Sequence, residues 1–129
     1  MVRKIVGFIL SLLLGIGNFL SFTSAVNVEE AGKIWLNDDN TVTYTTINDA
    51  VAAGHTGDII RVSGTFDTTN TAFRDAVVNN DMILEFVGNT VILSDNSLQH
   101  GLTIASGSHI KTVNGSTLTM KGFNTALNL

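Results

Sequence analysis

The side chains best suited to cation binding or acid chemistry in this sequence are single aspartates in turn-like segments. Calcium needs roughly six to eight oxygen ligands drawn from several positions, whereas here only Asp38 and Asp39 are adjacent. Aspartate also favours turns because its carboxylate hydrogen-bonds the local backbone. We therefore predict solvated turn aspartates, with no metal or cofactor site, at all seven candidates: Asp38, Asp39, Asp58, Asp67, Asp75, Asp81 and Asp95.

The basic, imidazole and glutamate side chains do not assemble a catalytic set by spacing. Arg61 lies in a predicted strand near Asp58, where a surface role is favoured over that of a catalytic base. A glycosidase needs two carboxyl groups about 5–9 Å apart, and lone histidines lack the partners that acid–base catalysis requires. No catalytic residue is predicted, and the sequence leans against an enzyme without deciding the question. The residues weighed are Arg61, Arg74, His55, His100, His109, Glu29, Glu30 and Glu85.

Two aromatic residues and three asparagines have structural alternatives to a binding role. Trp35 and Tyr44 are suited to an aromatic platform for a sugar, or to packing in an amino-terminal hairpin, which the tendency of aromatic rings to bury favours. Asn89, Asn96 and Asn114 are suited to an internal ladder of stacked amides. Such a ladder would be structural.

Charge and cysteine content exclude several classes of function. Only 14% of the residues are charged and the formal net charge is −4, against about 25% charged in a typical domain. After residue 25 the chain has five basic and eleven acidic side chains, a balance of −6. This argues against nucleic acid and anionic membranes as partners. The absence of cysteine excludes disulfides, thiolate chemistry and lipid attachment at cysteine.

Residues 1–25 have the order of a cleavable signal peptide. A basic start precedes an apolar run at 5–14, and small residues follow over 21–25. We predict cleavage between Ala25 and Val26, and a secreted or cell-surface protein. The alternative is a membrane anchor, which needs about 20 apolar residues.

The next segment, 26–40, is interpreted as a lead-in and a first strand at 33–36, paired in a hairpin with a strand at 41–45. Thr46 is placed to cap a short helix, with Gly54 ending it in the left-handed conformation. A strand at 59–62 follows the turn at Gly57, and a second short helix is expected after Asn70.

From residue 82 the sequence alternates short strands with Gly, Asn and Ser turns, at 82–86, 90–93, 102–104, 109–113 and 116–120. Ile83 and Thr103 stand about 20 residues apart, and Val91 and Ile110 are separated by a similar interval, which is typical of a solenoid. The alternative is an antiparallel sandwich with a hairpin at Asn114-Gly115.

The stretch 44–54, followed by Gly-Asp-Ile-Ile-Arg-Val-Ser-Gly-Thr-Phe at 57–66, resembles the opening segment of the pectate-lyase-like right-handed parallel β-helix superfamily. Phe66 stands where that family more often has tyrosine. The resemblance implies a helix that caps the first coil of a β-helix. The later Gly-, Asn- and Thr-rich strands resemble the adhesive, non-enzymatic branch found in surface proteins of Gram-positive bacteria.

These expectations combine into a mostly-β domain over 41–129, comprising an amino-terminal capping helix and the first coils of a right-handed parallel β-helix that continues beyond Leu129. The function expected is a non-catalytic adhesin-like or scaffold domain that binds extracellular polysaccharide or host matrix. The alternative is the amino-terminal part of a polysaccharide lyase or hydrolase. An uncapped carboxyl-terminal coil also predicts self-association.

Overall fold

The computed structural model describes residues 29–69, 71–95 and 100–129. The predicted signal peptide, its cleavage site at Ala25 and Val26, and Asn96 lie outside these ranges. The described chain has one helix, α1 (Ile47–Ala53), and eight strands. The strands are β1 (Lys33–Leu36), β2 (Ile59–Phe66), β3 (Ala76–Val78), β4 (Ile83–Leu93), β5 (His100–Ile104), β6 (His109–Thr112), β7 (Thr117–Lys121) and β8 (Thr125–Asn128).

Two sheets enclose the core. The larger sheet runs β1-β2-β4-β6, with β7 pairing the second half of β4. In it β1 is antiparallel to β2, while β2, β4, β6 and β7 are parallel. The smaller sheet, β3-β5-β8, is parallel throughout.

Alternation along the strands decides which side chains enter the core. In β2 every second residue is buried, from Ile60 to Phe66, as expected of a strand with one face turned inward. Phe73 lies between two other rings, with its centroid 5.2 Å from that of Phe66 and 6.4 Å from that of Phe86. The small sheet adds Ala76, Val78 and Leu102 to the same cluster.

The predicted helix and its cap are confirmed. The Thr46 hydroxyl oxygen accepts a hydrogen bond from the backbone N–H of Asp49 at 3.0 Å, and α1 buries Ile47 and Ala50. Gly54 ends α1 with φ −88°, so the left-handed ending was wrong. In the described ranges no helix is long and apolar enough to cross a membrane.

The prediction of a right-handed parallel β-helix was wrong. The chain forms one mixed sheet and one parallel sheet, and the described residues contain no solenoid or closed helix. The spacing on which the prediction rested is also not the one used: Ile83 lies opposite His109, Thr103 opposite Val77, and Val91 opposite Thr119. Short strands of similar composition fit several registers, and burial of one face selects among them.

Three local predictions also differ from the structure. Residues 41–45 form no strand, and β1 pairs with β2 because the register of Ile34 with Val62 places both side chains in the core. The expected second helix is a turn followed by β3. The hairpin at Asn114-Gly115, which belonged to the alternative antiparallel sandwich, does not form either, since β6 and β7 both lie parallel to β4.

Candidate binding face

Four residues with outward-facing side chains stand in register across the large sheet, and we call them the outer row. Trp35 of β1 lies opposite Arg61 of β2, Arg61 opposite Glu85 of β4, and Glu85 opposite Lys111 of β6. The chain neighbours of Arg61 and Glu85 are buried on both sides, so the pleat turns these two side chains, and the residues in register with them, outward. The signal in the sequence is that Arg61 and Glu85 each interrupt an apolar run.

Glu85 is held between two cations. Its Oε1 accepts a hydrogen bond from Arg61 Nε at 2.7 Å, and its Oε2 lies 3.6 Å from Lys111 Nζ. The Glu85 side chain is only 9% exposed, whereas that of Lys111 is 51% exposed. The two cationic side chains therefore cover and neutralise the carboxylate.

Arg61 also binds the turn that follows β1. Its Nη1 donates to the backbone oxygen of Asn37 and to Oδ1 of Asp38. The hydrogen bond to Glu85, followed by that to Asp38, raises the pKa of Arg61 above its ordinary value. The Asp38 side chain is 98% exposed, so this end of the outer row presents a carboxylate and part of a guanidinium to solvent.

A hydrogen-bonded corner fixes the turn that carries Asp38. Asn37 has φ 54°, and its Oδ1 accepts from the backbone N–H of Ile59 at 2.9 Å. Asp58 Oδ2 accepts from the backbone N–H of His55 at 2.8 Å. The pKa of Asp58 is lowered, first by this backbone hydrogen bond and then by one with the Asn37 side chain.

The hydrogen bonds to Asp58 and Asp39 make the stability of the folded chain depend on pH. The pKa values of Asp58 and Asp39 are both lowered in the folded chain. The unfolded chain therefore binds more protons below about pH 4, where free aspartate titrates. We expect stability that is present above that pH to be lost as the pH falls through the folded pKa values. The urea midpoint, followed by circular dichroism, should fall between about pH 5 and pH 3.

Salt provides the control for this pH dependence. Hydrogen bonds are the leading cause of both shifts, and exposed charge pairs are largely screened in about 1 M salt. The fall should persist in that salt and become shallower in Asp58→Asn. A fall that salt abolishes would contradict the assignment.

Trp35 and Tyr44 do not form one aromatic platform. Tyr44 packs against the core, as the prediction favoured, and its N–H donates to the Ile34 carbonyl oxygen at 2.9 Å. Trp35 is partly exposed in the outer row, with Lys33 Nζ 5.6 Å from its ring centroid. Trp35 is therefore the aromatic side chain that this face offers to a ligand.

The other candidate residues are dispersed. Asp39 accepts hydrogen bonds from the amide and hydroxyl of Thr41, and Asp67 does the same for Thr69. Asp75 and Asp81 have positive φ angles of 48° and 54° in turns. Glu29, Glu30, Arg74, Asp95, His100 and His109 are exposed. Within the described ranges, no three His, Cys, Asp or Glu side chains converge on a point where a metal ion could bind.

The expected asparagine ladder is not internal. Asn89 is exposed, lies opposite Thr117, and accepts a hydrogen bond from its hydroxyl at 2.9 Å. Asn114 is exposed in the turn between β6 and β7. The stacked polar pair in this part of the sheet is thus Asn with Thr.

No family model, curated protein or solved structure matches the chain.

Proposed function

We propose that this chain is a non-catalytic, secreted or cell-surface module of the adhesin or scaffold type, which binds extracellular glycan through the outer row. The observation that carries the proposal is the register that places partly exposed Trp35 beside Arg61, with Asp38 bound to the guanidinium. The leader-like residues 1–25 support export.

The chemistry of this surface suits a sugar. An indole face is an apolar surface with negative charge density, against which the C–H groups of a pyranose ring pack. Asp38 supplies carboxylate acceptors for hydroxyl groups, and charged hydrogen bonds are the stronger ones. Because Arg61 and Glu85 are fixed by one another, these groups lose little side-chain freedom when a ligand binds.

The same contacts favour binding over catalysis. Both oxygens of Glu85 face cations, and Arg61 is bound to Glu85, to Asp38 and to the Asn37 carbonyl oxygen. A catalytic acid or base must exchange its proton with substrate, whereas these groups are already bound to one another. A single small face of this kind gives weak binding, with a dissociation constant of about 1 mM, and avidity for a polymer would require two or more such faces on one particle.

Affinity electrophoresis tests the proposal. The protein is purified from culture medium, where its first residue is expected to be Val26, and is run in gels containing xyloglucan, a neutral polysaccharide, or polygalacturonate, an anionic one. At least one polymer should retard the protein. Trp35→Ala should remove the retardation, because the stacking surface is lost.

Val42→Ala is the matched control. Val42 is a 50% exposed apolar residue outside the outer row, so its truncation should leave retardation unchanged. Retardation that survives Trp35→Ala would refute the binding face. Release of unsaturated sugars from polygalacturonate with calcium would establish a lyase and overturn the non-catalytic assignment.

A further inference from the structure

Among the described residues, the strands β6, β7 and β8 form one open edge. Each pairs with a strand on one side only: β6 and β7 with β4, and β8 with β5. The N–H groups of His109 and Val113 bond to β4. Those of Ile110 and Thr112 therefore point the other way, where no strand of the described chain pairs with β6. Unpaired strand edges are templates for another strand.

Apolar side chains along this open edge are incompletely covered. Leu84, Ile92 and Leu102 are at most 2% exposed. Their register partners on the open edge are Ile110, Met120 and Leu127. All three side chains are partly exposed, and Leu127 is 38% exposed. Within the described part of the chain, the core is therefore incompletely covered on this side.

A polar group and a recess lie at the same edge. Ser108 is 7% exposed, and its Oγ has no hydrogen-bond partner. Ser108 lines a recess of about 620 Å³ together with Ile104, Ile110 and Leu129. Among the described residues, this hydroxyl lacks the partner that a buried polar group normally has.

The opposite edge of both sheets is closed. Tyr44 N–H bonds to the Ile34 carbonyl oxygen outside β1. Asn48 of α1 accepts a hydrogen bond from the N–H of Val77 at 3.0 Å, and its Nδ2 donates to the Asp75 carbonyl oxygen at 3.4 Å. These two hydrogen bonds cover the outer edge of β3. A head-to-tail contact would need two available edges. A contact between copies must therefore use the open edge on both sides, which gives a closed two-fold dimer.

Charge and area favour a second copy as the occupant. The segment 105–129 has no Asp or Glu side chain, although the chain has eleven, so the acidic side chains of two copies stay away from a contact made here. Lys111 does not block the edge, because its ammonium turns back toward Glu85 at 3.6 Å. From strand and sheet spacings the edge measures about 30 Å by 20 Å, or about 600 Å², which is at the lower end of the roughly 600–1,000 Å² that each partner buries in a standard interface.

We infer that two copies of this chain form a two-fold dimer by joining their open edges, β6, β7 and β8. The dimer would place two outer rows on one particle. This inference is independent of the glycan proposal, because it concerns a different surface and would survive a failure of Trp35 to bind sugar.

Light scattering on the purified protein over about 1–200 µM, a range that spans weak dimer affinities, tests the inference. The mass should rise from monomer to dimer and then stop. Leu127→Lys should raise the dissociation constant at least tenfold, since it places an unpaired ammonium in the contact. Thr112→Pro should weaken the dimer several-fold by removing one edge N–H, while a proline is tolerated at a sheet edge.

Val77→Lys is the matched control, because Val77 is 39% exposed on a strand away from the open edge. Its dissociation constant should change less than twofold. Circular dichroism melting verifies that each variant folds. A wild-type chain that stays monomeric, a mass that keeps growing with concentration, or a dimer that Leu127→Lys leaves intact would each overturn the inference.

Discussion

Phe73→Ala should lower the free energy of unfolding by about 3–5 kcal/mol, the usual cost of truncating a buried phenylalanine. Phe73 is 2% exposed and contacts the rings of both Phe66 and Phe86. Because Phe66 ends β2 and Phe86 lies in β4, the cavity would open beneath the central pair of the large sheet. Urea denaturation followed by circular dichroism measures the loss.

Phe123→Ala is the control for this prediction. Phe123 is only partly buried and packs at the margin of the core. Its truncation removes less area from contact and leaves a site open to water instead of a cavity, so we expect about 1 kcal/mol. Losses of equal size in the two variants would contradict the placement of the core around Phe73.

Gly64→Ala should lower the free energy of unfolding by at least about 3 kcal/mol. Gly64 has φ +86° in the middle of β2, where the register with β4 shifts. A Cβ there would lie 2.5 Å from the carbonyl oxygen of Ala31. The neighbouring backbone is held by two hydrogen bonds of 2.8 Å that join Thr65 to Glu30 and Gly32, so the clash has no easy relief.

Gly57→Ala separates the cost of backbone strain from the cost of the steric clash. Gly57 has φ +85°, but nothing lies within 4 Å of an added Cβ. Its substitution therefore measures backbone strain alone, about 1 kcal/mol. If both variants lose the same free energy in urea titrations, the close approach of residues 30–32 to β2 is not the constraint that the structure indicates.

The ion pair between Arg61 and Glu85 could not be predicted from the sequence. The alternation around Arg61 and Glu85 could have indicated two outward positions, because it depends only on the strand period. The ion pair itself requires β2 and β4 to be neighbours in one particular register. That register is selected by the side chains that it buries, across a separation of 24 residues.

The fold class failed for a related reason. Similar strands that lie about 20 residues apart predicted a solenoid. The strands that pair in the structure are separated by other intervals, and β1 is antiparallel to its partner. The resemblance of residues 44–66 to the pectate-lyase-like superfamily stays a prediction, and the β-helix that it implied is not the fold observed.

The sequence by itself determined the local structure. Thr46 with its downstream apolar stripe specified α1, and alternating β-branched runs specified most strands, because both signals act over a few residues. Only the tertiary structure decided which strands pair, where Trp35 and Arg61 meet, and which edge stays open. These features depend on burying side chains from distant segments together, and many registers satisfy the local preferences equally well.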